Sequence, residues 1–343
     1  MYELEPLSAL EIAQWDNLIA PYPCRELFHR EAWLQYLAMS RGVSIRRWAI
    51  RDKGRTIGYF PAGVFKKGPY LILGSPLRGW GSGVMGPVVG DGFDPERFLG
   101  ALDDLAGRER IAMLEIESSV LCDEHMQRFD YDFSSNQTYI VELTPEDPEL
   151  MWRRIQPSTR NVIRRAPKNG LTVEDSDDPD IVRELYDGWT EIAARRSNRP
   201  PPYDFRTVKL MFEHLKPRDM LFALRVRNSE GIPVATGFFP HDDRTAYFSL
   251  TGNHKAYFKL NPNDVLQWTL MSMAAARGIR KYDMYGFGHF KSKFGGQLCW
   301  KKRWHRFYAE SAKLARWSYE RYFEVGQWIR GLWGPAKGPT VRT

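Results

Sequence analysis

Along most of the chain, apolar residues recur first every second position and then every third or fourth, and this alternation predicts a mixed succession of strands and helices. Residues 8–20 and 30–39 read as helices. Residues 45–51 and 56–65 read as strands joined by the tight turn Asp52-Lys53-Gly54, a hairpin signal. A third strand over 70–74 runs into the glycine-rich loop S-P-L-R-G-W-G-S-G-V-M-G-P, residues 75–87. A helix over 95–107 and strands over 112–117 and 138–143 follow. The run T-P-E-D-P, residues 144–148, then punctuates the chain as a boundary.

The second half repeats this order. Residues 151–168 form a basic helical stretch interrupted near Pro157, and 179–196 and 204–215 read as helices. A second hairpin joins 220–227 to 233–240 around Asn228-Ser229-Glu230-Gly231. A strand over 245–250 precedes a helix over 262–277 with Pro262 in its first turn. A buried strand over 280–285 follows, and a last strand is expected over 304–309. Gly58-Tyr59-Phe60-Pro61 matches Gly237-Phe238-Phe239-Pro240 at the same place in each hairpin. A helix, a basic turn and a strand also recur, at 102–117 and at 271–285. The agreement points to an internal duplication. The expected fold is α/β with mixed sheets, in two tandem lobes over 1–146 and 147–310, with a tail over 311–343.

Composition narrows the function. Of the 343 residues, 43% are apolar and 27% charged, which suits a packed core. The three cysteines are scattered, with no C-x-x-C pair, so neither a disulfide framework nor a zinc site is expected. The N-terminus carries no secretory signature, and no run of apolar residues is long enough to span a bilayer. The expected location is the cytoplasm. The net charge of +7 is concentrated at the end, where residues 301–343 hold ten Lys/Arg against three Asp/Glu. Such a tail suits phosphate-bearing partners, either an anionic lipid surface or RNA, or else is a solvated charged helix. Leu314, Ser318, Tyr322, Val325, Ile329 and Leu332 form one helical stripe with tryptophans and arginines around it. That stripe either lies on the inner face of the plasma membrane or packs on the second lobe.

The densest chemistry lies in Y-D-M-Y-G-F-G-H-F-K-S-K-F-G-G-Q, residues 282–297. A strand that ends in glycines and lysines places backbone N–H groups and ammonium charges at its carboxyl edge, where developing negative charge can be held. The loop 75–87 has neither a Gly-Lys-Ser/Thr nor dinucleotide spacing, so ATP and NAD sites are not expected. Nor does any Gly-x-Ser-x-Gly or Cys/His pairing point to a covalent nucleophile.

Four ordered segments resemble the FemAB-like proteins: W-R-R-I-Q-P-S-T-R-N-V-I-R-R-A-P-K-N-G-L-T-V (152–173), Y-F-S-L-T-G-N-H-K-A-Y-F-K-L-N-P-N-D-V-L-Q-W (247–268), A-A-A-R-G-I-R-K-Y-D (274–283) and F-K-S-K-F-G-G (290–296). The resemblance covers residues 152–308 and is looser over the first half. It implies two GNAT acyltransferase lobes, and a donor that is either an aminoacyl-tRNA or an acyl-CoA-like thioester. Two features depart from the family's variants. There is no sizeable coiled-coil insertion. After Leu250 there is also no clear Arg/Gln-x-x-Gly-x-Gly/Ala loop of the kind that holds the pyrophosphate of coenzyme A.

By this resemblance Lys291, the lysine of the Phe-Lys motif, lies near the reacting carbonyl; its other reading is a lysine that solvates a loop end. A fixed donor at a tetrahedral oxyanion contributes roughly 3 kcal/mol to catalysis. Asp283 either accepts the proton of an attacking amine, or orients Lys291 or fixes a neighbouring turn. Lys293 contacts phosphate or is solvated, and Gly295 and Gly296 allow close approach of a ligand. Arg160 and Asn161 match the family's helix, and with Arg164 they are candidates for phosphate recognition. Arg78 and Trp80 of the 75–87 loop are available to a ligand in an inter-lobe cleft, if that loop is not purely structural. Tyr247 opens the second segment and joins the substrate-binding candidates.

The expected activity is therefore metal-free transfer of an acyl or aminoacyl group to an amine of a cell-envelope or small-molecule acceptor, with no bound cofactor. The rival reading is a non-catalytic module that binds a polysaccharide or lipid-linked intermediate.

Overall fold

Pro157 divides the expected basic helix in two, because its ring removes one helical N–H and fits only a first turn. The result is α6 (Pro148–Arg154) and α7 (Pro157–Arg165). The computed structural model in which this is seen describes residues 1–197 and 200–314. Of the expected tail, only 311–314 fall among these residues, and they are helical. The remainder, with the apolar stripe beyond Leu314, lies outside the described residues.

The first half runs β1 (Glu3–Pro6), α1 (Ala9–Ala13), α2 (Trp15–Ile19), α3 (Glu31–Arg41), β2 (Ser44–Asp52), β3 (Arg55–Lys67), β4 (Tyr70–Ser75), β5 (Val88–Val89), α4 (Pro95–Glu109), β6 (Ile111–Ile116), α5 (Asp123–Arg128) and β7 (Asp132–Glu142). After α6 and α7 come β8 (Thr172–Asp175), α8 (Ile181–Ser197), α9 (Phe205–Leu215), β9 (Leu221–Arg227), β10 (Pro233–Pro240), β11 (Thr245–Tyr247), β12 (Leu250–Asn253), α10 (Pro262–Ala276), β13 (Lys281–Asp283), α11 (His289–Ser292) and β14 (Gln297–Phe307). The crossover helix α4 shows how sequence sets an element. Asp94 accepts the N–H groups of Glu96 and Arg97, Pro95 fits the first turn, and Phe98, Leu99, Leu102 and Leu105 are buried on one face.

Nine strands follow the order β1-β2-β3-β4-β6-β14-β7-β13-β11, with β5 added to β3, and four more follow β12-β10-β9-β8. β11 and β12 are the two halves of one bent strand. Its first half lies parallel to β13, and its second leaves to pair antiparallel with β10. The sheet therefore splits beside Phe248 and Ser249. The first lobe has the matching parallel pair, β4 with β6. There Ser75 Oγ donates to the carbonyls of Pro61 and Met85, and Glu117 N–H donates to Ser75 O, so the 75–87 loop closes the gap.

Both lobes thus follow the sequence parallel pair, crossover helix, strand, short helix, strand. Their final strands are exchanged. β14 lies against β6 of the first lobe, β7 lies against β13 of the second, and β7 and β14 pair with each other. The expected boundary near residue 146 falls between β7 and α6, while the sheet runs across it. Strand β14 also begins seven residues before the expected 304. Its first half, Q-L-C-W-K-K, lacks clean alternation and pairs with residues 135–140 of β7, where Trp300, Lys301 and Lys302 lie opposite the polar Gln137, Asn136 and Ser135. The short β1, β8 and α5 gave no periodic signal either. One core cluster contains Trp15, Phe28 and Trp33 together with Leu185, Met211 and Phe238, so the lobes share buried surface.

Candidate active site

The split between β12 and the residues after β13 leaves backbone carbonyls without a neighbouring strand. Lys291, on α11, fills that vacancy. Its Nζ donates to Met284 O (2.5 Å) and Tyr285 O (3.2 Å) and lies 4.5 Å from the centre of the Phe248 ring. Burial pushes its pKa down to about 8, against the pull of the Asp283 carboxylate. An ammonium has three donors. Two go to backbone carbonyls, and the Phe248 ring lies beside the ammonium.

Asp283 ends β13 and is completely buried. One oxygen accepts Thr138 Oγ1 (2.6 Å) and the N–H of Tyr285 (2.9 Å), and the other accepts the ammonium of Lys301. Burial opposes the charge on Lys301, yet Asp283 and Glu117 outweigh it and raise its pKa. Both oxygens of Asp283 are committed, so the geometry favours orientation over proton abstraction. What Asp283 orients is the turn that carries Tyr285, a non-glycine residue at φ +52°. Gly286 N–H donates to Thr138 Oγ1, and Gly286 O accepts Tyr139 N–H. A left-handed tyrosine fixed on both sides is a strained position maintained by its surroundings.

Tyr247 is buried and donates its hydroxyl to Glu26 (2.8 Å). Its ring packs between those of Phe28 and Tyr285, so it supports the site from inside the core. Trp80 is likewise buried, against Gly63 and Phe65. The expectation that it faces a ligand is corrected by that packing. Arg78 is exposed, and its backbone N–H donates to Glu115. Gly295 and Gly296 do permit close approach, but of the protein to itself: a Cβ would meet Arg154 at 2.6 Å or Ile140 O at 3.1 Å.

Lys293 pairs with Asp264 in the first turn of α10 (3.4 Å), and its carbonyl accepts Gln156 N–H at the start of α7. That bond brings α7 to the motif loop. Arg160, half-buried, has an Nε with no partner, and Asn161 is exposed. Arg164 is exposed and stacks on Trp152, which packs on Trp268. Lys291, Asp283 and Tyr247 thus gather at the split, the Gln156–Lys293 bond joins the motif loop to the helix that carries Arg160, Asn161 and Arg164, and Arg78 lies on the first lobe's loop.

Sequence reading missed Thr138, Lys301 and Glu26, which come from distant segments. A usable signal existed in the duplication. Glu115 follows Ile111 by four residues as Asp283 follows Ile279, and both carboxylates are buried. The structure also brings Cys122 Sγ and His125 Nδ1 to 3.0 Å on the surface, a pairing the sequence reading did not anticipate.

Comparison with known proteins agrees with this geometry. The acetyltransferase (GNAT) domain family matches residues 153–302. None of the curated proteins matches the sequence. Among solved structures, FemX shares 14% identity with a TM-score of 0.73, covering 91% of this chain and 99% of its own. L-PGS from Bacillus licheniformis shares 15% at a TM-score of 0.53, with 88% and 92% covered. A tandem GNAT protein from the clavulanic acid biosynthesis pathway shares 12% at 0.53, with 90% and 98% covered. Residues 153–302 thus match the acetyltransferase (GNAT) domain family, within a chain whose two-lobed fold is similar to that of FemX.

Proposed function

We propose that this chain transfers an acyl or aminoacyl group from an activated donor to an amine of a cell-envelope or small-molecule acceptor. The observation that carries this reading is the desolvated ammonium of Lys291 at the split in the second lobe's sheet. The amine nitrogen attacks the donor carbonyl, and the resulting oxyanion accepts the third N–H of Lys291. The oxyanion then collapses, re-forming the C=O bond as the C–O or C–S bond to the leaving group breaks, and the amine loses its proton to the leaving group or to water. No acyl-enzyme is required, and positioning of the two substrates supplies much of the rate.

Both crossover helices bear on the donor. Phosphate commonly seats at such an N-terminus. Here Asp94 caps α4, and Asp264 occupies the first turn of α10 with Lys293 beside it. These carboxylates disfavour a pyrophosphate at either helix. The exposed arginines of α6 and α7 (Arg153, Arg164 and Arg165) instead offer charge to a longer polyanion. This supports aminoacyl-tRNA over acyl-CoA. Among the described residues no helix is long and apolar enough to cross a membrane, and contact of the basic aromatic tail with the inner face of the plasma membrane belongs to the same proposal.

The test is release of the leaving group. Purified protein is incubated with charged tRNA or acyl-CoA and candidate amines. Free tRNA formed in an amine-dependent way supports the reading. Neither tRNA nor thiol released with any amine would leave a binding module.

A further inference from the structure

The duplication lets one lobe serve as a control for the other. Counted from Ile111 and Ile279, Asp103 and Arg110 of the first lobe correspond to Met271 and Gly278 of the second. Arg306 stands opposite Leu114 as Val141 stands opposite Tyr282. Tyr308 N–H donates to Ala112 O as Leu143 N–H donates to Arg280 O. In the second lobe these positions are core: Val141, Leu143 and Met271 are all fully buried. In the first lobe the same place is an open cavity of about 550 Å³, with Asp103, Arg110, Arg306, Tyr308, Tyr70 and Ile111 among its walls. It lies at the far end of β14 from Lys291, roughly 30 Å away along an extended strand.

The polar groups of the cavity are arranged unequally. The Asp103 carboxylate is already satisfied, accepting Arg306 Nη1 at 2.7 and 2.8 Å and the Tyr308 hydroxyl at 2.8 Å. Arg110 is exposed, and its guanidinium has no partner among the described residues. It also ends α4 in the left-handed region, at φ +55°, where Gly278 takes the equivalent turn at φ +79°. Glycine enters that region freely and arginine does not. An unpaired cation is therefore kept at a strained position beside a cavity that the sister lobe fills with apolar side chains.

We infer that this cavity binds a small amphipathic anion, a carboxylate or phosphate on an apolar body, with Arg110 as its charge partner. Pro69, Ala106, Ile111 and Ala112 supply the apolar wall, and the volume suits a ligand of modest size. The site is independent of acyl transfer at Lys291.

Isothermal titration of the full-length protein with dodecyl phosphate, kept below its micelle concentration, tests the assignment. Saturable one-site binding is expected, at least about tenfold tighter than for inorganic phosphate. Arg110→Gly should weaken it by at least about tenfold and raise the melting midpoint by about 2 °C as the strain is relieved. Arg110→Lys should retain most of the affinity. Absence of saturable binding to the unmodified chain, or equal affinity in Arg110→Gly, overturns the site. Inorganic phosphate binding as tightly as dodecyl phosphate would show that the apolar wall takes no part, and would overturn the amphiphile.

Discussion

Arg303 on β14 and Glu117, just past β6, form a buried ion pair across the two halves of the chain, with Nη2 to Oε2 at 2.7 Å and Nε at 3.2 Å. Nη2 also donates to Ser82 O, so the guanidinium ties the exchanged strand to the glycine-rich loop. Removing one member of such a pair leaves an uncompensated buried charge, at a cost of roughly 3 to 5 kcal/mol. Arg303→Met should lower unfolding stability by about that amount in chemical denaturation. The double substitution Arg303→Met, Glu117→Leu should recover most of the loss. A double variant as unstable as the single would place the cost in packing.

Lys291→Ala removes the ammonium but leaves the split open. Turnover should fall at least roughly tenfold, a loss of about 1.4 kcal/mol or more in the barrier, with little change in melting temperature. Steady-state rates on the donor and amine that give product in the release assay provide the measurement. Unchanged turnover would take Lys291 out of the mechanism.

The same group sets a pH limit. If the charged form holds the oxyanion, activity should decline as pH rises through about 8. Stability moves the other way. Between about 8 and the ordinary 10.5 the unfolded chain holds the extra proton, so this group's contribution to stability grows with pH. A pH–rate profile paired with melting curves separates the two. Activity rising steadily past pH 9 would contradict the role of the ammonium.

Asp283→Asn keeps the side chain's shape but leaves Lys301 facing an amide. The Tyr285 turn should loosen, with a stability loss of about 1 to 3 kcal/mol and a fall in turnover smaller than that of Lys291→Ala. Full activity loss at unchanged stability would restore Asp283 as the base.

His241 predicts an acid limit. Its ring stacks on Phe222, with centroids 4.2 Å apart, and burial lowers its pKa to about 4. Arg277 lies at 3.4 Å, and Asp219 and Asp175 also face it. The unfolded chain binds this proton first, so the contribution is intact above pH 6.5 and is lost as pH falls toward 4, by roughly 3 kcal/mol. His241→Gln should flatten the stability profile across that interval, as read by denaturant midpoints.

Much of this architecture was legible in the sequence because the duplicated hairpins and crossover helices follow local rules. Asp94 and Pro95 start α4 wherever that segment sits, and Pro157 must divide α6 from α7. The strand exchange was not legible. Residues 297–302 gain their place from β7, a partner more than 150 positions away, and carry little periodicity of their own. At the site, Lys291 stood out by its glycine-rich setting. Thr138 and Lys301 did not, since each matters only through a bond to Asp283. Trp80 misled because an aromatic in a polar loop looks available until the fold turns it onto Gly63.

The interleaving of β7 and β14 bears on synthesis at the ribosome. The first lobe lacks a neighbour for the edge of β6 until residue 307 has been made, so nearly the whole polypeptide must emerge before either half can close its sheet. A fragment cut at the Thr144–Pro148 hinge would carry an open, hydrogen-bond-hungry margin, and co-expressed halves should reassemble only by trading these strands.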